Sequence, residues 1–563
     1  MSMFRLVLVA ALVLGCNVEP KDTTPVDADD SDNVTTSDNE TTLVFDTVGT
    51  IHLMIWTDDS SYAGTNDGSI EFCLSASDCF NPNKPRWNDL EKGSRDIQVF
   101  EAVGLSRSAL DRFVVQTTDG EDRWTPAGFQ VSFDGETVYC KNDLNFYIGN
   151  GAGELLSWTD PDGLHVDCTT VFETPLTHGP FVGDVGPNSA QVWYRTDSTR
   201  QVKLFLATSE AALATAAPVN YSYPQASTDF THSVNITGLV PETSYVYELE
   251  IEGTRYGPWP LQTTPTKGSS TTLKFAFGSC TKDDEQPIFG SILSYNPDLF
   301  LFLGDNHYAN SNDLNALRQY YRWAHERSER STMMSSVPIL ATWDDHDFVG
   351  NNTDGREPGK AVALRVFKEY WANPSYGTVD TEGVFFESSY GDVDFFVIDD
   401  RYWRDIDDSV LGDEQEAWLL SQLAASTAVF KFIVSGSQFT THGSGDSWAA
   451  YLTAQGRLLQ HIVDNSITGV VFLSGDVHRS EFRSVAAATG GYAIPELTSS
   501  PMANTNARCP TDSEILECFN TDDYFIGVEV DTTAADPTVK AQLFDRDGEL
   551  QAVWDIKHSD LTF

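Results

Sequence analysis

Basic residues are scarce in this sequence. Lysine and arginine together number 35, against 83 aspartates and glutamates, so the 563-residue chain carries a formal net charge of −48 at pH 7. Such a surface repels nucleic-acid backbones and anionic membranes unless cations neutralise it locally. The excess of acids suits hard cations such as calcium, although a solvated acidic surface without a ligand is the commoner explanation. The composition therefore argues against a nucleic-acid scaffold role, and by itself it does not identify a metal.

Apolar runs long enough to cross a bilayer are also missing from the sequence. The run over residues 6–14 follows Arg5 and ends at Gly15-Cys16; it is too short to span a membrane and is typical of an export signal. Residues 17–42 are acidic and rich in threonine, and they contain almost no apolar side chain to bury. We therefore expect a signal peptide over residues 1–16 and a disordered tether over residues 17–42.

The residues around Cys16 indicate how the exported chain is held. The segment Val13-Leu14-Gly15-Cys16 resembles the lipobox of bacterial lipoproteins, in which the cysteine is lipidated before the signal is cleaved. The resemblance implies lipidation of Cys16 and a lipid anchor at the cell surface; the alternative is an ordinary signal peptide with an incidental cysteine. Asn17 resembles an outer-membrane sorting signal, so in a Gram-negative host we expect the anchor in the outer membrane.

Cysteine is scarce as well, with eight in the whole chain. Apart from Cys16, six of them form three local pairs, which we expect to be disulfides in an oxidising compartment. The expected bridges are Cys73 with Cys79, Cys140 with Cys168, and Cys509 with Cys518. Cys280 is left over, and metal ligation is one reason for a free thiol in an exported protein.

Two regions of short, alternating apolar and polar runs predict two β-sandwiches. Residues 43–170 resemble a PLAT (lipoxygenase-homology) domain in three segments, which implies contact with lipid or protein partners. Residues 174–265 contain the pattern Leu-x-Pro-x-Thr-x-Tyr and resemble a fibronectin type III-like module with a structural role. No ligand site is assigned to either region.

The pattern changes near residue 270. Apolar runs that end in polar residues alternate with helical stretches, which predicts an α/β layered fold over residues 270–563. The expected helices cover residues 312–328, 359–371, 413–425 and 451–464. The fold class is therefore multidomain, with two N-terminal β-sandwiches followed by layered sheets flanked by helices.

Six apolar runs in the last region read as buried strands that end in polar residues. The residues that follow them are Gly278-Ser279-Cys280, Gly304-Asp305-Asn306-His307-Tyr308, Asp344-Asp345-His346-Asp347, Asp399-Asp400-Arg401, Ser435-Gly436-Ser437-Gln438 and Gly475-Asp476-Val477-His478. In open α/β sheets, ligands bind outside the carboxyl ends of the strands, so we expect these residues to converge on one rim. A thiol, carboxylates, a phenol and imidazoles together could hold a transition metal beside calcium-like ions.

As an ordered set, these motifs resemble the alkaline phosphatase D (PhoD-like) family, from about residue 174 to the C-terminus. The resemblance implies a calcineurin-like metallophosphoesterase centre with iron, as Fe³⁺, and calcium. It also implies hydrolysis of phosphomonoesters and phosphodiesters, with a phosphate ester as the substrate. Some relatives are described as phospholipases.

The same resemblance implies a role for each residue of the set. The expected iron ligands are Cys280, Asp305, Tyr308, Asp476 and His478, with Tyr308 as a phenolate. Asp305 would bridge to calcium ions held with Asp344 and Asp345. The expected phosphate-binding residues are His346, Asn351 and Arg401, the last because a guanidinium matches phosphate oxygens bidentately.

Some positions depart from the family pattern. His307 stands where a hydrophobic residue is expected, and Ala309-Asn310 follow Tyr308 where an acid is expected. Three functions stay open on the sequence. They are an exported phosphoesterase, a phospholipase-like enzyme that the anchor and the PLAT-like region would place near lipid, and a non-catalytic surface adhesin that retains the fold.

Overall fold

The computed structural model describes most of the chain from residue 47 onward. The described residues are 47–57, 70–75, 79–80, 95–106, 110–117, 126–133, 136–142, 144, 157–161, 164, 175–282, 286–405, 409–440, 445–486 and 488–563. The predicted signal peptide, the tether and Cys16 lie outside these residues, as does Cys168.

Eight strands make up the described N-terminal region. They are β1 (Thr47–Thr57), β2 (Ile70–Cys73), β3 (Cys79–Phe80), β4 (Arg95–Ser106), β5 (Val114–Thr117), β6 (Pro126–Phe133), β7 (Glu136–Asn142) and β8 (Ser157–Thr159). They form two four-stranded sheets, in the orders β4-β1-β6-β7 and β3-β2-β5-β8. The sheets share one apolar core, in which the rings of Phe72 and Phe129 lie 5.4 Å apart. Cys73 and Cys140 are both disulfide-bonded.

The central region is a second pair of sheets. Its elements are β9 (Leu176–Val185), β10 (Ser189–Thr196), β11 (Val202–Ala207), α1 (Glu210–Leu213), β12 (Pro218–Ser222), β13 (Thr231–Thr237), β14 (Ser244–Ile251) and β15 (Thr254–Gln262). The sheet orders are β13-β10-β9 and β12-β11-β14-β15. Alternate residues of these strands point into a common core, as the period of two predicts.

A buried charge cluster joins this central region to the following one. Asp229 accepts hydrogen bonds from Arg195 Nε at 3.2 Å and Nη2 at 3.1 Å, and from Arg322 Nη1 at 2.6 Å. The hydroxyl of Tyr370 also donates to Asp229. We call these four residues the Asp229 cluster; both partners from the following region come from helices, so the cluster fixes those helices against the central sheets.

Two large sheets form the C-terminal region. Their strands are β16 (Thr272–Gly278), β17 (Leu299–Leu303), β18 (Ile339–Thr342), β19 (Phe386–Tyr390), β20 (Val393–Val397), β21 (Phe430–Val434), β22 (Val470–Ser474), β23 (Ser480–Val485), β24 (Ile494–Thr498), β25 (Ile515–Phe519), β26 (Tyr524–Asp531), β27 (Thr538–Asp545) and β28 (Leu550–Lys557). One sheet has the order β18-β17-β16-β26-β27-β28 and the other β19-β20-β21-β22-β24-β23-β25. The six strands expected from the sequence are all present, but they divide equally between the two sheets.

The helices of this region cover the outer faces of the sheets. They are α2 (Ile288–Tyr295), α3 (Leu314–Glu326), α4 (Ser328–Met334), α5 (Asp345–Phe348), α6 (Lys360–Tyr370), α7 (Gly412–Ala425) and α8 (Leu452–Asp464). The four helices expected from periodicity correspond to α3, α6, α7 and α8, within three residues at each end. In the described part of the chain, no helix combines the length and apolarity that a membrane crossing requires.

The two sheets meet at the carboxyl ends of their parallel strands. β16, β17 and β18 run parallel to one another, and so do β20, β21, β22 and β24. Glycines allow close approach there: a Cβ on Gly304 would lie 2.6 Å from the backbone nitrogen of Asp344, and one on Gly475 would lie 2.5 Å from Ser279 Oγ. The loops that carry the candidate site residues are therefore packed against one another across the two sheets.

Candidate metal centre

Four of the candidate ligands have an uncommon backbone conformation. Cys280, Asp305, Asp476 and His478 have φ angles of 64°, 51°, 68° and 52°, in the left-handed region that non-glycine residues rarely adopt. Such strain persists only where the surrounding structure imposes it, and it is concentrated at functional sites. Each of these residues lies in the loop after a strand, two residues beyond its end for Cys280, Asp305 and Asp476 and four for His478.

One group of ligand atoms surrounds the thiol. The ligand atoms of Cys280, Asp305 and His478 all lie within 4.8 Å of one another. Cys280 Sγ is 3.4 Å from Asp305 Oδ2. The Tyr308 hydroxyl donates to Asp305 Oδ2 at 2.9 Å and lies 3.3 Å from His478 Nε2. The structure therefore brings together four of the five residues expected around a transition metal.

Asp476, the fifth, stands differently. Its carbonyl oxygen is 3.6 Å from Cys280 Sγ, while its carboxylate belongs to neither compact group of ligand atoms in the described part of the chain. Its charge nevertheless acts on the carboxylates of Asp305 and Asp344, so it lies at the same rim.

A second group shares Asp305 with the first. The ligand atoms of Asp305, Asp345 and His346 lie within 4.8 Å of one another. The backbone N–H of His346 donates to Asp305 Oδ1 at 3.2 Å, and that of Asn352 donates to Asp345 Oδ2 at 2.6 Å. Asp305 is thus common to both groups of described residues, with Oδ2 beside the thiol and Oδ1 held by the backbone of His346.

His346 is placed as a ligand by its own hydrogen bonds. Asn310 Nδ2 donates to the carbonyl of Tyr308 at 3.2 Å. The other amide atom of Asn310, Oδ1, is therefore the one that lies 2.5 Å from His346 Nδ1. Nδ1 must then carry the hydrogen, and Nε2 keeps its lone pair, 3.9 Å from Asp345 Oδ1. The side chain therefore suits a cation site better than direct donation to phosphate, the role expected for it.

Arg401 differs most from its expected role as a phosphate clamp. It is fully buried, and its guanidinium donates to Asp344 Oδ1 at 2.5 Å and to both carboxylate oxygens of Asp446 at 2.9 and 2.6 Å. Its remaining N–H groups donate to Ser437 Oγ and to the carbonyl of Thr353. All five donors are occupied, so Arg401 positions Asp344 and has no N–H left for phosphate.

Asn351 is exposed, and its side chain donates to Asn352 Oδ1 at 2.7 Å. It lies beside the backbone that holds Asp345, but none of its hydrogen bonds reaches either ligand group.

Asp347 has a local role: Oδ1 accepts from the backbone of Asp344 at 2.7 Å and Oδ2 from the backbone of Asn306 at 3.1 Å. It therefore ties the Asp305 and Asp344 loops together.

The electrostatics of the rim indicate that cations belong there. Burial raises the pKa of Asp305 well above its ordinary value, and the charges of Cys280 and Asp345 raise it further. Burial also raises the pKa of Asp344 despite the opposing effect of Arg401, and that of Asp476 to about 8. Carboxylates packed this closely stay ionised together only if positive charge compensates them.

Unsatisfied atoms support the same fit. In the part of the chain that the structure describes, Asp344 Oδ2 and Asp345 Oδ1 are buried and have no hydrogen-bond partner. A buried carboxylate oxygen without a donor costs stability unless something else satisfies it. The residues present therefore fit metal ions chemically, with a thiol and imidazole in the first group and mainly oxygen ligands in the second.

Sequence reasoning missed Asn504. This buried side chain donates through Nδ2 to the Tyr308 hydroxyl at 2.8 Å and lies 3.1 Å from His478 Nε2. The backbone N–H of Thr505 donates to Asn504 Oδ1 at 2.8 Å, which fixes the orientation of the amide. Asn504 follows β24 by six residues, outside the strand-end motifs, so no local pattern pointed to it.

The expected thiol chemistry is confirmed around this loop. Cys509 and Cys518 form a disulfide, and Cys280 is a free, buried cysteine. The backbone N–H of Ala507 donates to the carbonyl of His478 at 2.7 Å. The disulfide-closed loop therefore begins two residues after a direct contact with the backbone of His478.

Comparisons with known proteins agree with this geometry. Residues 275–552 match the family model described as PhoD-like phosphatase, and residues 173–270 match a model described as a domain of unknown function (DUF7800). The chain is 26% identical over 313 residues to alkaline phosphatase D of Bacillus subtilis. That match covers 44% of this chain and 54% of the relative, so the chain spans about half the length of the curated relative it matches.

Two solved structures share the fold. A structure of PhoD superposes with a TM-score of 0.57 at 20% identity, over 69% of this chain and 93% of that one. A purple acid phosphatase from seeds of yellow lupin (Lupinus luteus) gives a TM-score of 0.53 at 12% identity, over 91% of both chains. Both neighbours support a metallophosphoesterase-like fold, and the resemblance seen in the motifs is confirmed. Residues 275–552 of this chain therefore carry a PhoD-like phosphatase domain, as matched by the family model and by the fold of PhoD.

Proposed function

We propose that this protein is a metal-dependent phosphoesterase that hydrolyses phosphomonoesters and phosphodiesters at the described rim. The observation that carries the proposal is the position of Asp305, whose two carboxylate oxygens face two separate groups of ligand atoms. A carboxylate shared in this way suits two cations held close together, the arrangement used for in-line displacement at phosphorus.

The residues divide between two kinds of ion. Cys280, Asp305, Tyr308 and His478 would hold iron, because thiolate, phenolate and imidazole suit a transition metal. Asp305, Asp345 and the free oxygen of Asp344 would hold calcium, with His346 beside them. When bound, these ions would supply an activated water and neutralise the phosphoryl oxygens.

The chain itself supplies orientation and proton placement. Arg401 and Asp446 hold the Asp344 carboxylate so that Oδ2 faces the rim. Asn504 holds the Tyr308 oxygen through an N–H donor, and Asn310 holds the proton of His346 on Nδ1. Burial lowers the pKa of His478 to about 4, so its imidazole is neutral and able to ligate near neutral pH.

We also propose export, lipidation at Cys16 and a surface location, which the apolar run over residues 6–14 and the lipobox-like segment support. The N-terminal β-region would act as a PLAT-like contact for lipid or protein, and the central sheets as a fibronectin type III-like spacer. Replacement of Cys16 by alanine should release the protein from membranes and abolish incorporation of labelled fatty acid. Unchanged membrane association would overturn the lipid anchor.

The test of the activity uses the purified soluble protein. We expect iron and calcium on elemental analysis, together with hydrolysis of both p-nitrophenyl phosphate and bis-p-nitrophenyl phosphate. The Cys280→Ala variant should lose iron and activity together. If this variant kept wild-type activity, the iron would have to be bound elsewhere. A native protein that binds neither metal and stays inactive after both are added would favour the adhesin, and hydrolysis confined to phospholipid vesicles would favour the phospholipase.

A further inference from the structure

A side-chain cation can bind phosphate beside metal ions, but the arginine expected in that role already has other partners. Arg401 has no free donor, as described above. Arg404, the next arginine along, donates to the Asp400 carbonyl at 2.6 Å, to Asp446 Oδ1 at 2.7 Å and to Ser437 Oγ at 2.8 Å. Both arginines therefore serve to hold acidic and hydroxyl groups behind the rim.

Lys282 is a cationic side chain close to the candidate metal centre. The residue follows Cys280 by two positions, it is half-buried, and its Nζ lies 5.9 Å from the centroid of the Tyr308 ring. Its positive charge lowers the pKa of both His346 and His478, after the larger effect of burial. The Tyr308 ring lies 4.2 Å from the ring of His346, and its hydroxyl lies 3.3 Å from His478 Nε2, so Lys282 stands beside a residue that contacts both imidazoles.

The main chain around Lys282 is firmly held. Its backbone N–H donates to the carbonyl of Ala503 at 2.8 Å, and the N–H of Ala503 donates to the carbonyl of Cys280 at 3.2 Å. Thr281 and Ala503 form a parallel bridge. The ammonium is therefore carried by a fixed backbone at the edge of the centre.

Among the residues that the structure describes, no carboxylate pairs with Lys282. In the described part of the chain it forms no ion pair, although acids outnumber bases by 83 to 35. A half-buried ammonium beside the ring of Tyr308 would be repelled by the cations that the site is proposed to bind, which would cost stability. An anion between the ammonium and the metals would remove that cost.

We propose that Lys282 binds a phosphoryl oxygen of the substrate and makes the centre favour dianionic phosphomonoesters over monoanionic phosphodiesters. The inference rests on the proposed function for the nature of the reaction, but not for the binding of phosphate. The preference follows from charge, because a dianion gains about twice the Coulomb energy of a monoanion at the same distance from one ammonium. Lysine acts here as a point charge with three donors.

The first experiment measures binding alone, by calorimetry on the metal-loaded protein with inorganic phosphate and with dimethyl phosphate at pH 8. Lys282→Met should weaken inorganic phosphate roughly ten- to hundredfold, as expected for loss of a charge-assisted hydrogen bond, and dimethyl phosphate less. Lys282→Arg should restore most of the affinity. Elemental analysis should show unchanged metal content in both variants.

Lys274→Met is the matched control. Lys274 is half-buried in β16, the same strand that leads to Cys280, and its Nζ lies 4.0 Å from the centroid of the Tyr295 ring. It therefore shares the burial and the tyrosine contact of Lys282 but sits away from the rim. Its replacement should leave both affinities unchanged.

The second experiment measures KM and kcat on p-nitrophenyl phosphate and bis-p-nitrophenyl phosphate. In Lys282→Met the KM of the monoester should rise more than that of the diester. Unchanged phosphate affinity, or equal losses for the two probes, would overturn the inference. A wild-type protein that binds phosphate through Lys282 but hydrolyses neither ester would uphold it and refute the proposed function.

Discussion

Two buried charge clusters in this protein are built in opposite ways. In the Asp229 cluster one carboxylate meets two guanidiniums and a phenol, and each charge has a partner within 3.2 Å. At the rim, Arg401 pairs with Asp344 and Asp446, and in the described part of the chain no lysine or arginine forms an ion pair with Asp305, Asp345 or Asp476. The first cluster is complete as the chain folds, whereas the second requires cations from outside.

The pKa shifts follow the same division. Burial alone would raise the pKa of Asp229, but Arg195 and Arg322 outweigh it and hold the pKa well below its ordinary value. For Asp305 and Asp476 burial is reinforced by neighbouring negative charge, and the pKa rises. The counter-charge of Asp229 thus comes from the chain itself, whereas that of Asp305 and Asp476 would have to come from bound cations.

The largest effect is expected from removal of the Asp305 carboxylate, which the two ligand groups share. Asp305→Asn should lower kcat/KM by roughly a thousandfold, because it takes charge from both ligand groups and with it the electrostatic stabilisation of the reaction. Metal content should fall together with activity. Without metal, the variant should be at least as stable to unfolding as wild type. Full retention of both metals would show that Asp305 is not the bridge.

Asp229→Asn tests the self-compensated cluster. Loss of the carboxylate leaves two buried guanidiniums without their shared counter-charge, so we expect the free energy of unfolding to fall by about 3–5 kcal/mol. Metal binding by the protein that stays folded should be unaffected. Urea denaturation measures the change, with Glu529→Gln as the control: its pair with Lys540 is exposed, at 3.9 Å, and should contribute less than about 1 kcal/mol.

Asn504→Ala tests how the chain orients a ligand. Removal of the amide that holds the Tyr308 oxygen should reduce activity or iron affinity roughly 10–100-fold, the usual loss for an outer-shell partner. The visible absorption expected of an iron-bound phenolate should shift, because its oxygen loses a hydrogen-bond donor. Asn504→Gln serves as the comparison, and an unchanged spectrum in both variants would count against the contact.

The smallest effect is a pH dependence of the metal-free protein. Burial, and after it the charge of Asp345, raises the pKa of Asp476 to about 8. Between pH 3.8 and pH 8 the folded protein therefore holds a proton on Asp476, whereas the unfolded chain has released it. Metal-free stability should therefore rise as pH falls from 9 to 7, by about 1–2 kcal/mol. Urea denaturation after chelation measures it, and the metal-loaded protein should vary less.

The pH dependence of stability that comes from the Asp229 cluster has the opposite sign. Because the pKa of Asp229 is depressed in the folded state, its contribution is complete above the ordinary value of 3.8 and is lost as pH falls below it. Wild type should therefore lose stability in acid more steeply than Asp229→Asn. Equal slopes would mean that the guanidiniums do not favour the ionised carboxylate as the distances indicate.

Much of the fold could be predicted because its signals are local. The run of five apolar residues at 299–303 corresponds to β17 without an error at either end, and helix α3 begins where the Asp313 carboxylate accepts from the backbone of Ala316 at 2.8 Å. The division of the six strands between two sheets could not be predicted, since a buried strand has the same pattern in either sheet.

Residue types and motif order in this sequence determined the chemistry that is available: a thiol, carboxylates, a phenol and imidazoles, each directly after a strand. The tertiary structure alone decided what each one does. Arg401 became a support for Asp344 because Asp446, 45 positions away, occupies its donors, and Asn504 reached Tyr308 across 196 positions. Hydrogen-bond saturation and charge compensation depend on neighbours in space, and a linear sequence does not specify those neighbours by itself.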